Sequence, residues 1–186
     1  LKHKDPDFLN SIATLEPYND ESFKQIADND VLAIFFTSGT TNKPKGVTIL
    51  YKGLIANGIA FVQTLQLSSE LKFYNILDLA YLGGFYNLTM IPFISQACVV
   101  LSDTFNPHKA IFFWQEVETF GVDALWLVPS IMSILLLIDR SNLGTNYCKN
   151  NMRIILVGTA PLSLSMKSRF EEKYSVVLYE NYGLSE

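Results

Sequence analysis

Residues 31–50 read VLAIFFTSGTTNKPKGVTIL. Val31–Phe36 is a continuous apolar run of the kind that forms a strand buried on both faces. Thr37, Ser38, Gly39, Thr40, Thr41, Asn42, Lys43, Pro44, Lys45 and Gly46 follow as a loop, and Val47–Leu50 resumes β-favouring sequence. The order is strand, loop, strand. The loop is built for a polyphosphate. Gly39 and Gly46 have no Cβ, so backbone N–H groups can approach phosphate oxygens closely. The hydroxyls of Thr37, Ser38, Thr40 and Thr41 add donors, and Lys43 and Lys45 add positive charge. The pattern is not a Walker A loop, which runs G-x-x-x-x-G-K-[ST] into a helix. Here Gly46 follows Lys45, and the chain continues as a strand.

Outward from this stretch, strands alternate with helices. Helical character runs from about Lys52 to Gln66. Asn75–Leu79 is a candidate strand broken by Gly83 and Gly84, a helix is expected over Phe85–Ser95, and Ala97–Leu101 reads as a strand. Asn106 and Pro107 make a helix start, with Asn as N-cap and Pro at the first helical position. Ala110, Phe113, Trp114 and Val117 share one face, and Gly121 supplies the stop. Ala124–Val128 is a strand, Pro129–Asp139 a helix, and Asp139–Asn151 the longest loop candidate. Arg153–Val157 is the next strand, Pro161-Leu162-Ser163 opens a helix carrying Met166, Phe170 and Tyr174, and Val176–Tyr179 is the last strand. This order predicts an α/β fold with a mostly parallel, doubly wound sheet and flanking helices. Residues 1–30 read as a polar lead-in with one short helix near Glu21–Ala27, and residues 31–186 as the domain proper.

Composition narrows the function classes. The chain has 186 residues, 49% hydrophobic and 17% charged, which suits a packed globular domain. Net charge is -4 with no Lys/Arg cluster, so a nucleic-acid partner is disfavoured. Neither Phe85–Leu101 nor Ile131–Ile138 is long and apolar enough to span a bilayer. LKHKDPDFLN has no apolar core of a secretory signal. Cys98 and Cys148 form no C-x-x-C pair and read as buried, reduced thiols of a cytoplasmic protein. His3, in the lead-in, and His108, in the first turn of a helix, read as solvated side chains; Phe112, Phe113, Trp114 and Trp126 read as packing.

Thr37–Val47 closely resembles the phosphate loop of the adenylate-forming superfamily, which includes acyl-CoA synthetases, luciferases and the adenylation domains of peptide synthetases. The match covers eleven consecutive positions with one departure, Asn42 in place of Gly; Asn tolerates left-handed backbone better than other non-Gly residues. Three further segments resemble family motifs in the family's order. DLAYLGG (78–84) stands where many members carry P-L-F-H-x-x-G, so that Tyr81 replaces the His and Asp78 the Pro; with Gly84 it is expected to line the acyl pocket. VGTAPLS (157–163) resembles G-G-A-P-L-S, with Thr159 for the second Gly, and the resemblance places Gly158, Thr159, Ala160 and Pro161 against adenine and the acyl group. ENYGLSE (180–186) resembles Y-G-x-T-E. The resemblance sets Tyr182 beside adenine with Gly183, Ser185 at the α-phosphate and Glu186 on Mg²⁺. Tyr51 stands where relatives often have His and is given no role.

What the resemblance implies is ATP-dependent activation of a carboxylic acid as acyl-AMP, followed by thioester formation with coenzyme A or the phosphopantetheine of a carrier protein. Lys45 and Glu186 would act on the reacting phosphates, with ATP and Mg²⁺ as cofactors. Relatives also carry an acidic ribose-binding motif, a hinge and a mobile C-terminal domain with a catalytic Lys. This sequence shows none of them and reads as part of the large N-terminal domain, with little or no adenylation activity expected alone. Two alternatives stay open: an amino acid-activating domain, for which Asp78 could be the buried acid that meets the ammonium, and a non-catalytic nucleotide-binding relative, which Asn42, Tyr81 and Thr159 keep in play. The acid activated and the oligomeric state are not legible in the sequence.

Overall fold

The structure, a computed structural model, describes residue 14 and residues 26–37 and 45–184. Five parallel strands form the central sheet: β3 (Lys72–Asn75), β4 (Cys98–Leu101), β5 (Ala124–Leu127), β6 (Ile154–Val157) and β7 (Leu178–Glu180), in the order β4-β3-β5-β6-β7. The expected parallel α/β sheet is present. The two strands that begin the chain's regular structure lie outside it. β1 (Val31–Thr37) and β2 (Lys45–Leu50) pair only with each other, antiparallel, with Thr37 opposite Lys45.

The central strands are buried on both faces, and their side chains sort with period two. Phe73, Ala124, Trp126, Ile154 and Leu156 form one core layer. Phe61, Val62 and Leu65 of α1 (Tyr51–Leu65) and Leu88 and Ile91 of α2 (a π-helix over Gly83–Met90 continued by an α-helix over Ile91–Ile94) pack against it. Tyr74, Leu125, Leu127, Ile155 and Val157 point the other way. They meet α3 (Pro107–Phe120), α4 (Pro129–Ile138), α5 (Leu143–Asn151) and α6 (Leu164–Tyr174). A register slip in β5 or β6 would exchange the two sets, so the pattern of sizes fixes the sheet.

α3 follows its sequence signals. Asn106 Oδ1 accepts a hydrogen bond from Lys109 N at 3.0 Å, Pro107 sits in the first turn, and Gly121 closes the helix at φ +63°. In α6, Ser163 is the N-cap, accepting from Met166 N at 3.3 Å, and the helix starts at Leu164 rather than at Pro161.

Several expectations need correction. The strand expected at Asn75–Leu79 lies at Lys72–Asn75, because it pairs residue for residue with Cys98–Leu101 and the Asn75 side chain ends it. Asn75 Oδ1 accepts from Leu77 N at 3.2 Å and Nδ2 donates to Gly84 O at 3.0 Å, pulling the chain out of the sheet. Gly83 and Gly84 do not break a strand; they begin α2, which winds as a π-helix over Gly83–Met90 and as an α-helix over Ile91–Ile94. Asp139–Asn151 is not a loop throughout, since it contains α5. This polar helix is held by its neighbours: a Cβ on Gly144 would meet the Trp114 ring at 2.6 Å, and Tyr147 OH donates to Val122 O at 2.9 Å. Val31–Phe36 is not buried on both faces; Ile34 and Phe36 are 56% and 74% exposed. A two-stranded hairpin has two faces, and the Phe35 side meets the Phe85 ring. Cys98 is exposed, whereas Cys148 is buried and its thiol is pushed up to about 12 by that burial. Most of the short helix expected near Glu21–Ala27 lies outside the described residues, and Ile26 and Ala27 are not helical. Among the described residues no helix is long and apolar enough to cross a membrane.

Candidate active site

The strand order creates one crevice. From β3 the chain goes outward to β4 by way of α2 on one face. It returns past β3 to β5 by way of α3 on the other, and then continues to β6 and β7. The direction of winding therefore reverses between β3 and β5. In open α/β sheets ligands bind outside the carboxyl ends of the strands at such a point. Parallel strands place all five carboxyl ends on one edge. Three of the sequence motifs leave the sheet there: residues 78–84 after β3, 158–161 after β6 and 181–184 after β7.

After β3, Asp78 Oδ1 accepts from Ala80 N at 2.8 Å and Asp78 O accepts from Tyr81 N at 3.0 Å, forming a tight turn. Gly84 is buried against it, and a Cβ at Gly84 would collide with the Asp78 carbonyl. Glycine is required there by packing. Tyr81 is 45% exposed at the crevice edge. Asp78 is itself exposed, with one carboxylate oxygen engaged by the turn, so it does not supply a buried acid for an ammonium group. Tyr86, one turn on, donates to Leu54 O at 3.1 Å and to Asn57 Oδ1 at 2.7 Å; its burial pushes the phenol up to about 12, and it remains neutral.

After β6, Gly158 N donates to Leu127 O at 3.3 Å and is buried, while Thr159, Ala160 and Pro161 are exposed toward the edge. Thr159 stands at φ +73°, in the left-handed region that a β-branched residue avoids. After β7, Asn181 N donates to Val157 O at 2.9 Å, and its side chain fills the notch that Gly158 leaves. A Cβ at Gly158 would collide with Asn181 Oδ1. That oxygen is buried without a hydrogen-bond partner among the described residues. The sequence reading passed over Asn181. The available signal was its place between a strand end and Tyr182-Gly183, one residue from the motif. Tyr182 is 90% exposed and presents an open ring face at the same edge. Glu180 is turned away and pairs with Lys167 at 2.8 Å.

The β1–β2 hairpin joins this edge through an aromatic contact. The Phe35 ring lies 5.6 Å from that of Phe85, the third residue of α2. Thr37 ends β1, and Lys45 and Gly46 begin β2, with Lys45 exposed. Ser38, Gly39, Thr40, Thr41, Asn42, Lys43 and Pro44, and also Ser185 and Glu186, lie outside the described residues. Among the described residues no cluster of three His, Cys, Asp or Glu side chains could hold a metal. A cavity of about 350 Å³ lies at the opposite, amino edge of the sheet, between the end of α1 and Arg153 and Tyr179; it contains none of the motif residues.

A family model described as AMP-binding enzyme matches residues 2–186. The chain belongs to that family. It is 25% identical over 158 residues to the oxalate–CoA ligase of Saccharomyces cerevisiae, covering 85% of this chain and 28% of that protein. It is 30% identical over 165 residues to 4-coumarate–CoA ligase-like 9 of Arabidopsis thaliana, covering 87% and 28%. The fold is similar to that of ATP-bound MatB from Rhodopseudomonas palustris, with a TM-score of 0.73 at 22% identity over 86% of this chain and 30% of that one. The chain spans less than a third of the length of these curated relatives.

Proposed function

We propose that the protein activates a carboxylic acid with ATP and passes the acyl group to a thiol, as an acyl-CoA synthetase-like ligase. Residues 31–186 would supply part of the nucleotide- and acid-binding domain. The observation that carries this reading is the convergence of three motif segments on one carboxyl edge, with the phosphate-loop hairpin docked beside them through Phe35 and Phe85. Membership of the AMP-binding family and likeness to CoA ligases support it.

In the first step a substrate carboxylate oxygen bonds to the α-phosphorus of ATP. The bond from that phosphorus to the bridging oxygen breaks, and pyrophosphate leaves with its electron pair. The acid is its own nucleophile, so the protein's task is to position two anions and stabilise the leaving charge. Thr37, Ser38, Gly39, Thr40, Thr41, Lys43 and Gly46 would cradle the phosphates, with Lys45 countering their charge. Tyr182, Gly183, Gly158, Thr159, Ala160 and Pro161 would hold adenine and the AMP moiety, with Ser185 on the α-phosphate. Tyr81 and Gly84 would border the acid. Glu186 is the carboxylate suited to Mg²⁺, a hard oxygen-seeking cation. In the second step a thiol sulfur attacks the acyl carbon and AMP leaves; coenzyme A or a carrier-bound phosphopantetheine would supply that thiol.

An amino acid substrate is the weaker reading, because Asp78 is exposed and held in its turn. The test is acid-dependent exchange of labelled pyrophosphate into ATP by the whole protein across a panel of aliphatic, aromatic, dicarboxylic and amino acids. Exchange with a non-amino acid, followed by CoA-dependent AMP release, is the expected result. Tight ATP binding with no exchange for any acid would favour a non-catalytic nucleotide-binding relative.

A further inference from the structure

A second feature lies on the helical layer. α4 and α6 leave between them a groove of about 300 Å³ lined by Ser133, Leu136, Leu137, Arg140, Met166 and Arg169. Leu136 and Met166 are half-buried and form its apolar part, and Leu137 stands on the rim at 67% exposure. Arg140 and Arg169 flank it. Neither guanidinium makes an ion pair or a hydrogen bond to any of the described residues. The neighbouring acid, Asp139, has a side chain only 6% exposed, and its Oδ2 is buried with no hydrogen bond among the described residues. Oδ1 accepts from Ser141, and Oδ2 lies 3.8 Å from Lys173.

The charge arrangement is unusual for this chain. It carries 18 acidic against 14 basic residues, yet two arginines line one partly apolar groove with no carboxylate to meet them among the described residues. Arginine presents a planar fork that binds phosphate or carboxylate with two parallel hydrogen bonds. An apolar lining with a few convergent polar groups is the usual form of a small-molecule site, and the volume is at the lower end of such sites. We propose that this groove binds an amphipathic organic anion, with an apolar chain along Leu136 and Met166 and a phosphate or carboxylate head between Arg140 and Arg169. The inference does not depend on the proposed ligase activity.

The probe is octyl phosphate, followed by the ¹³C-methyl signal of Met166 in the whole protein, assigned with Met166→Leu. A saturable shift with Kd on the order of 1 mM is expected for a ligand of this size. Inorganic phosphate and octanol, each offering half the chemistry, should give no saturable shift in the same range. Arg140→Gln with Arg169→Gln should weaken binding at least tenfold, while Arg140→Lys with Arg169→Lys should keep part of it. Circular dichroism and melting temperature serve as controls that the variants remain folded. No saturable shift, or an equal one in the Gln pair, would overturn the proposal. So would an acidic amphipathic peptide that shifts Met166 at lower concentration than octyl phosphate, since that would mark a protein-docking surface.

Discussion

The rings of Phe35 and Phe85, 50 positions apart in the chain, lie 5.6 Å from one another and join the β1–β2 hairpin to the start of α2. β1 and β2 share no backbone hydrogen bonds with the central sheet, so the hairpin's position depends on side-chain contacts such as this one. An aromatic pair of this geometry is worth about 0.5–1.5 kcal/mol beyond area burial. Phe85→Ala is expected to lower ATP affinity while leaving the central sheet intact. Hydrogen exchange resolved by segment should show faster exchange over residues 31–50 and little change over residues 124–127 and 154–157. Uniform loss of protection would mean that Phe85 supports the whole fold instead.

Lys45 begins β2 with an exposed side chain beside the loop. A hydrogen bond to a charged group contributes about 1.5–3 kcal/mol. Lys45→Gln should therefore reduce kcat/KM for ATP in pyrophosphate exchange by roughly ten- to a hundredfold. The melting temperature should move little, because the side chain is in solvent. An unchanged kcat/KM would remove Lys45 from the proposed phosphate site.

Gly158 and Asn181 interlock at the ends of β6 and β7. Gly158→Ala forces a Cβ into the Asn181 carboxamide and should destabilise by about 1–3 kcal/mol, the usual cost of overpacking. Asn181→Ala in the Gly158→Ala background should recover most of that loss, a coupling readable in a double-mutant cycle from urea unfolding. Strictly additive single effects would contradict the interlock.

Thr159 holds a left-handed backbone angle that costs an L-residue about 1–2 kcal/mol. Thr159→Gly removes that strain but loosens the unfolded chain, which offsets about 0.5–1 kcal/mol. A net gain of roughly 0.5–1 kcal/mol is expected in the unfolding midpoint. If the hydroxyl meets the ligand as proposed, the same variant should bind AMP more weakly while melting at a higher temperature. A lower melting temperature would show that the side chain makes contacts worth more than the strain.

Glu116 in α3 receives hydrogen bonds from Lys109 Nζ, at 2.7 Å, and from Tyr74 OH. Burial by itself would raise its pKa; the bonds from Lys109 and Tyr74 outweigh that and leave the carboxyl below its usual value. A depressed carboxylate pKa means that the folded state holds its proton less tightly than the unfolded chain. The stabilisation is therefore present above the unfolded value, near 4.5, and is lost as pH falls through the lower folded value. Denaturant unfolding at pH 7 and at pH 3 should show a loss that Glu116→Gln reduces by about 1 kcal/mol. An equal loss in wild type and variant would exclude this cluster as a contributor to acid sensitivity.

Elements whose signals are local were legible in the order of residues alone. Asn106, Pro107 and Gly121 bounded α3 because capping and left-handed termination are properties of one or two residues. The runs ALWL and IILV marked buried strands because every residue there is apolar. The wording of residues 37–47 is the source of the proposed phosphate chemistry for the same reason: its candidate donors are contiguous. Tertiary structure decided whatever depends on neighbours distant in the chain. VLAIFF has the composition of a central strand, yet it became one arm of a separate hairpin, because β-pairing partners are chosen by the whole sheet. LGTNYCKNN carries a weak helical signal and folds as α5 because Trp114, Val122 and Lys173 receive its Gly144, Tyr147 and Thr145. The Gly158–Asn181 interlock and the arginines of the α4–α6 groove, unpaired among the described residues, were also invisible beforehand, since close approach and missing partners are facts about space and not about order along the chain.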